Sequence, residues 1–585
     1  MDRIEEFQEL LVQKAIDAYI IPSSDFHMSE YTPAYFKVRE YISGFTGDAG
    51  TLVITQDEAL LWTDGRFFIQ AEMELKGSNI KLMKMGESGV PTIIEYLSNK
   101  FLDGGNLGFD SRTIDTKTAL NLRKQLPDAE IINVDLVPKI FEDRPAMPFS
   151  YLYIFDECFS GASYKEKLIK VRAELSRHKC NSTVIAKLED QAWLYNLRAS
   201  DIECTPVFLA FTIITNDEVR LFIDKEKLTD EVKKYLDSND IKLSNYDDIY
   251  NQLQEMTGLN ILYDPSSCNY NIYRTLYRDN NLVAHINPTT ELKAIKNPTE
   301  IRNTIKAHIK DGVAMVKAMY YLYNHANELD EISFAKYLDD TRAETQGFIS
   351  PSFETISGFD IHGAIVHYSA KPETKLKLDN THPTFFLVDS GAHYCLGTTD
   401  ITRTFVLGEA TEQMKEDYTS VLKCHIDLAT SVFKDGTTGE KLDVIARQPL
   451  WNRGLDFRHG TGHGVGHVLS VHEGPQAFRY HGANYPIKPG MITTDEPGLY
   501  REGKYGIRIE NELLCIDASN GEYGKFYKFQ NITYCPYEPK AINKELLSKK
   551  EIDWLNAYNK ECYETLSPYL SNSEKSFLKD LTKEL

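Results

Sequence analysis

Three stretches of the chain concentrate side chains that can bind cations or carry protons. In FFLVDSGAHYCLGTTDITRTFVLG the apolar run 385–388 delivers Asp389 at its end, and Ser390-Gly391 allows a turn or bulge. The run that follows alternates: Asp400, Thr402 and Thr404 fall on one face of a strand, Ile401, Phe405 and Leu407 on the other. Paired antiparallel, the two strands set Asp389 and Asp400 side by side. Two unpaired carboxylates there repel, and one stays protonated unless a shared cation removes the cost. Taken alone, the hairpin reads more simply as surface aspartates near turns.

The second stretch is RHGTGHGVGHVLSVHEGP. Glycines 460, 462, 464 and 466 alternate with Thr461, His463, Val465 and His467, so extended chain here has one bare face, open to a neighbour or a ligand. His459 and His463 stand at i and i+4, a zinc spacing on a helix, but the glycines argue against a helix. In a strand the two lie ~13 Å apart. One metal-ligating and one substrate-facing histidine are expected, with His472 a third polar group on the next extended segment. Singly, each histidine is more often structural. In the third stretch, MITTDEPGLYREGKYGIRIENELLC, Glu496 precedes Pro497-Gly498 at a strand end, while Arg508 and Glu510 share a face of a second strand. Surface salt-bridging is the plain alternative for that last pair. Together the stretches offer two Asp, one His and two Glu without a thiolate, a donor set that favours manganese, cobalt or iron over structural zinc. Four carboxylates suffice for two divalent ions about 3.5 to 4 Å apart, the arrangement of metal-assisted hydrolysis.

The elements that must position these residues form the last large block of the chain. In KAIKNPTEI, Asn297 suits a helix N-cap, Pro298 the first helical position and Glu300 the capping box. Ile301, Ile305, Ile309, Val313 and Val316 then keep helical spacing. A second helix is expected from Asp330 and a third over 411–433, with Met414, Tyr418, Val421, Leu422, His425, Leu428 and Val432 on one face. Earlier, residues 3–14 read as helix, 18–21 as a strand and LVITQDEALLWTD (52–64) as a hairpin. The pattern returns as TIITNDEVRLFID (212–224), which points to a duplicated α/β domain. The expected organisation is α/β (α+β): domains over 1–150, 151–292 and 293–535, then a helical extension over 536–585 in which Trp554, Leu555, Tyr558 and Cys562 share a face and no chemistry is evident.

A chain of 585 residues, 42% hydrophobic, is too long for one core and suits about three domains. The net charge of -21 and the lack of a basic stripe argue against nucleic acid and anionic membrane as partners. Asp2, Glu5 and Glu6 stand where a signal peptide needs a basic start, and no run is apolar enough to span a membrane. The nine cysteines show no CxxC pair and read as free buried thiols, so a cytoplasmic location is expected.

VDSGAHYCLGTTDITRT, HGTGHGVGHVLSVHEGP and DEPGLYREGKYGIRIEN resemble the metal-binding motifs of the pita-bread metallopeptidases, and within them the aminopeptidase P branch. IPSSDFHMSEY (21–31), WTDGRFFIQAE (62–72), EDQAWLYNLRASDIECTPVF (189–208) and the tail extend the resemblance over almost the whole chain, to the long three-domain form. It implies two creatinase-like N-terminal domains, a pita-bread catalytic domain, and cleavage of the bond before a proline at the second position. It further implies Asp389, Asp400, His463, Glu496 and Glu510 as ligands of two metal ions, manganese before cobalt, iron or zinc. Glu496 then shuttles a proton, His367 of GAIVHY contacts substrate, His459 and His472 line the site, and Arg66 binds substrate from the first domain. A homodimer is implied too. His467 departs from the pattern, since relatives often have a small or apolar residue there; an inward-facing and a packed role are both open.

Two rivals share the scaffold. Prolidase has the metal set but acts on dipeptides and usually has one N-terminal domain, and creatinase, also an enzyme, does not need the ligands; non-catalytic pita-bread peptide-binding proteins have lost the ligands, whereas all five are present here. The duplicated domains, the bare glycine face and the remote Arg66 favour a site open to longer peptides.

Overall fold

The hairpins at 52–64 and 212–224 occupy equivalent places in two six-stranded sheets. The first runs in the order Ile80–Lys84, Ala59–Thr63, Thr51–Thr55, Ala18–Pro22, Gly105–Phe109, Ala129–Asn133. The second runs Lys242–Ser244, Val219–Ile223, Ala210–Thr215, Ser182–Ile185, Asn260–Tyr263, Asn281–Ala284. Each junction has the same sense in both sheets, the two hairpin pairings and their neighbour antiparallel and the outer pairings parallel. The central strands read as near-continuous apolar runs because both faces are covered. In the first sheet Leu52, Ile54 and Leu61 pack with Phe7 and Leu11 of the first helix, while Val53, Leu60 and Trp62 pack with Leu97 and Leu122.

The computed structural model describes residues 3–585; Asp2, counted above among the acidic residues at the start, lies outside them. The chain divides into two compact units. One holds both sheets and ends at Leu292; the other comprises Glu157–Gly161 and Lys293–Leu585.

The second unit opens with the helix Pro298–His325, capped by Asn297, whose side chain accepts from the Glu300 backbone while Glu300 reaches back. Its buried Met315, Met319 and Leu322 meet Phe386, Val388, Ile401 and Phe405 of two antiparallel strands, Thr384–Ser390 and Ile401–Leu407. Both strands are buried throughout, so the alternation read from sequence separates a core face from a site face, not core from solvent. Helices Glu331–Ala343 and Glu412–Ala429 begin at Asp330 and Thr411, each accepting a backbone hydrogen bond as N-cap. Val432 is not on the latter helix: it is exposed on the short strand Val432–Lys434, because the helix closes at Thr430.

A four-stranded sheet orders Val432–Lys434, Gly524–Asn531, Asn511–Gly521 and Ile492–Asp495. Glu510 is not inside a strand. It lies in the two-residue gap between Tyr505–Arg508 and Asn511–Gly521, where the chain passes from one sheet to another. The helix Lys549–Leu566 of the C-terminal extension belongs to the same compact unit and buries Leu555, Tyr558 and Cys562 in its core. Cys158 is exposed and Cys204 and Cys395 are partly so, against the expectation of uniform burial. Among the described residues, no helix is long and apolar enough to cross a membrane.

Candidate metal centre and active site

Asp389 lies opposite Thr402 in the strand pair, so Asp400, two residues before Thr402, meets it diagonally and not side by side. Glu510 completes the group: its backbone N–H donates to the Thr402 carbonyl at 3.1 Å, and its Oε2 accepts from Thr402 Oγ1 at 2.7 Å. Ligand atoms of Asp389, Asp400 and Glu510 all lie within 4.8 Å of one another. The same holds for His463, Glu496 and Glu510, so Glu510 is common to two overlapping triads. It holds again for Asp400, His463 and His472. His463 Nε2 stands 3.5 Å from both Asp400 and Glu496.

Glycine fixes the approach of His463. A Cβ at Gly462 would overlap the Thr494 carbonyl oxygen, and one at Gly464 the Glu473 carbonyl. The bare face seen in the sequence is thus filled by neighbouring backbone and does not speak for an open site. Only Gly462–His463 is strand, paired with Ala477–Phe478. The His463 N–H donates to Thr494 Oγ1 at 3.0 Å. Glu496 follows directly on the strand Ile492–Asp495, and its N–H donates to the Thr461 carbonyl at 2.7 Å.

The electrostatics call for cations. Burial and then the neighbouring carboxylates push the Asp400 and Glu510 carboxyls well above their ordinary range. Asp389 Oδ1 and Glu510 Oε1 are buried without a hydrogen-bond partner, and an orphaned buried carboxylate oxygen is costly unless something positive faces it. The oxygen-rich donor set, spread over two triads with a shared carboxylate, fits two divalent cations.

Arg508 was not foreseen as a site residue. It is buried, not a surface ion-pair partner, and its Nη2 donates to Asp389 Oδ2 at 2.6 Å. Its Nη1 donates to Tyr500 Oη at 2.7 Å, and the same hydroxyl meets His459 Nε2 at 2.8 Å. His459, Tyr500, Arg508 and Asp389 therefore form one hydrogen-bonded chain along the edge of the cluster. The available signal was position: Arg508 stands two residues before a candidate ligand in an alternating run. Arg403 and Tyr558 were missed as well. Arg403 Nη1 donates to the Glu510 carbonyl at 2.7 Å, and its Nη2 to Tyr558 Oη at 3.1 Å, so the helix Lys549–Leu566 buttresses a ligand.

His472 stands edge-on to His463, ring centroids 4.2 Å apart. His367 lies half-buried in a turn beside the cluster, since the preceding Val366 carbonyl is 3.4 Å from the Arg508 guanidinium. His467 is resolved as a packing residue: Nδ1 meets Thr304 Oγ1 and Nε2 the Phe159 carbonyl, each at 3.1 Å. Arg66 lies in the first unit and donates to Asp64 at 2.8 Å.

The profile described as metallopeptidase family M24 matches residues 302–517, and that of its C-terminal region 525–585. The creatinase/prolidase N-terminal domain matches twice, at 3–140 and 143–300. The chain is 39% identical to Xaa-Pro aminopeptidase 1 of Dictyostelium discoideum, over 100% of this chain and 96% of that protein. It is 36% identical to aminopeptidase P1 of Arabidopsis thaliana, over 97% and 96%. An X-prolyl aminopeptidase from Caenorhabditis elegans, described as a cytosolic enzyme with a di-nuclear active site, superposes with a TM-score of 0.94 at 31% identity, covering 100% of this chain and 98% of that one. A Xaa-Pro dipeptidase from Bacillus anthracis shares the fold at TM-score 0.51 and 22% identity, but covers only 64% of this chain.

Proposed function

The chain belongs to metallopeptidase family M24, in its aminopeptidase P branch, and from that premise we propose that it releases the N-terminal residue of peptides by hydrolysing the Xaa-Pro bond. The observation that carries the reading is the pair of donor triads joined at Glu510, in a chain whose relatives named as Xaa-Pro aminopeptidases match it along nearly its whole length. Asp389, Asp400, His463, Glu496 and Glu510 would hold two divalent cations, manganese first. When bound, the cations supply electrophilic polarisation of the scissile carbonyl and acidify a water near neutral pH.

The side chains do the rest. Glu496, at the rim of the cluster, takes a proton from the attacking water and passes it to the prolyl nitrogen as the C–N bond breaks. His472 presents a ring N–H to the oxygen on which negative charge develops. Arg508 holds Asp389 oriented. His459, through Tyr500, keeps that guanidinium in place and lines the peptide's path with His367. Arg66 binds substrate on the strength of the resemblance. A homodimer and a cytoplasmic location complete the reading.

The experiment is direct. Strip the chain with a chelator, restore it with manganese, and follow a Xaa-Pro-Yaa tripeptide by mass spectrometry. Release of the first residue by the restored form alone is expected. Turnover that is indifferent to stripping, or cleavage elsewhere in the peptide, would overturn the reading.

A further inference from the structure

Glu331 is a fully buried carboxylate that takes no part in the donor cluster. It is the first residue of the helix Glu331–Ala343, where the helix dipole favours a negative charge. Its Oε1 accepts from the Phe359 N–H at 2.8 Å and from His362 Nδ1 at 2.9 Å. Its Oε2 accepts from Tyr368 Oη at 2.9 Å and from the Leu376 N–H at 2.8 Å. The backbone joins in, with Glu331 N–H donating to the Leu376 carbonyl and Ser357 Oγ to the Glu331 carbonyl.

These donors are not scattered. Phe359 closes the strand Ile356–Phe359, His362 sits in the turn Asp360–Ala364, Tyr368 follows His367 directly, and Leu376 lies on the return of the same long loop. One carboxylate thus ties the entry, the middle and the exit of a segment with almost no regular structure of its own. Loops of this length in a compact domain are usually functional.

The loop is seated against the donor cluster. Ile356 pairs with Asp389, and the Val366 carbonyl faces the Arg508 nitrogen that also holds Asp389. A Cβ on Gly506, in the strand that carries Arg508, would overlap the Gly363 carbonyl. His362 stacks on Tyr368 with centroids 4.5 Å apart, which limits the sideways freedom of the residue next to His367.

We propose that Glu331 is a positioning residue for the reaction: it holds the 360–376 loop in the one conformation that presents His367 to the bound peptide. This rests on the functional reading above for the identity of the substrate. Ordering such a loop costs entropy, and a pre-formed loop spares the peptide that cost on binding. The loss from removing Glu331 therefore falls chiefly on substrate affinity.

The test uses the metal-loaded full chain. Glu331→Gln keeps the volume but replaces one acceptor oxygen by an NH2 donor that faces other donors. Tyr368→Phe removes one hydrogen bond and leaves the rest. Expected for Glu331→Gln are unchanged metal content, a KM for the Xaa-Pro-Yaa tripeptide raised on the order of tenfold with kcat changed less, and faster amide exchange confined to 360–376. Tyr368→Phe shifts KM the same way by a smaller factor. Combined with His367→Ala, either substitution adds little further loss, because both act through the same imidazole. Normal KM in both variants, or losses that multiply with His367→Ala, would overturn the proposal. If Glu331→Gln does not fold, the Tyr368→Phe and His367→Ala pair decides by the same rule. If the unsubstituted chain cleaves no Xaa-Pro peptide, the functional reading falls and takes the role of His367 with it. The anchoring of the loop is then still judged by exchange, and protection unchanged in Tyr368→Phe overturns it.

Discussion

At the scale of single residues, the account rests on a buried cluster of carboxylates, one of which, Asp389, is held by Arg508. Asp400→Asn removes one carboxylate from two of the ligand groups at once. It should abolish turnover and lower bound metal, read by elemental analysis beside a peptidase assay; full activity with unchanged metal would contradict the assignment. His472 tests a different point, since it stands close enough to Asp400 and His463 to ligate. If its role is to stabilise developing charge, His472→Ala should cost about 10²- to 10³-fold in kcat and leave metal content intact. A variant that simply loses metal makes it a ligand instead. The cluster also sets a pH dependence. The raised Asp400 and Glu510 carboxyls mean that the metal-free folded chain binds more protons than the unfolded chain above the ordinary carboxylate range. The contribution of these two groups to its stability must then fall as pH rises above the ordinary carboxylate range. Cations hold the same groups ionised, so the rise in Tm on adding manganese should grow with pH there. Scanning calorimetry with and without metal reads this, and a metal-induced shift that shrinks as pH rises would refute it.

At the scale of elements, glycine carries much of the design. Gly462 lets the His463 segment lie against the strand Ile492–Asp495, where any side chain would meet the Thr494 carbonyl. Gly462→Ala must therefore push the segment outward, at a cost of roughly 1–3 kcal/mol from overpacking, and carry His463 with it. Weaker metal binding at nearly retained secondary structure is expected from calorimetric titration and circular dichroism, and metal affinity equal to that of the parent would argue against it. Local signals made several elements legible from sequence. The Asn297 and Asp330 caps, the two duplicated hairpins and the strands around Asp389 and Asp400 all announce themselves through spacing and capping chemistry. Others were not legible, for physical reasons. Glu510 reads as mid-strand because alternation continues across a two-residue gap in which the chain changes sheets. Arg508 reads as a surface charge because burial of a guanidinium depends on its partners, Asp389, distant in the chain, and Tyr500, brought over by the neighbouring strand Gly498–Arg501. The tail reads as inert because the value of Tyr558 lies in Arg403, and only folding brings the two together.

At the scale of the whole molecule, cation binding and folding are linked. Cations that bind the folded donor cluster and not the unfolded chain add about 2.7 kcal/mol of stability at a hundredfold excess over Kd, so the metal serves structure as well as chemistry. The length of the substrate adds a claim of a different kind. Relatives named as Xaa-Pro aminopeptidases match the chain along nearly its whole length, and the proposed activity predicts that it accepts peptides that continue beyond proline. The most direct measurement is kcat/KM for the manganese-loaded chain on a dipeptide, a tripeptide and a pentapeptide that share the same Xaa-Pro start. Cleavage of the Xaa-Pro bond in the tripeptide and pentapeptide, at least as efficient as in the dipeptide, is the predicted result. Strong preference for the dipeptide with no cleavage of the pentapeptide would make the chain a prolidase and contradict the account.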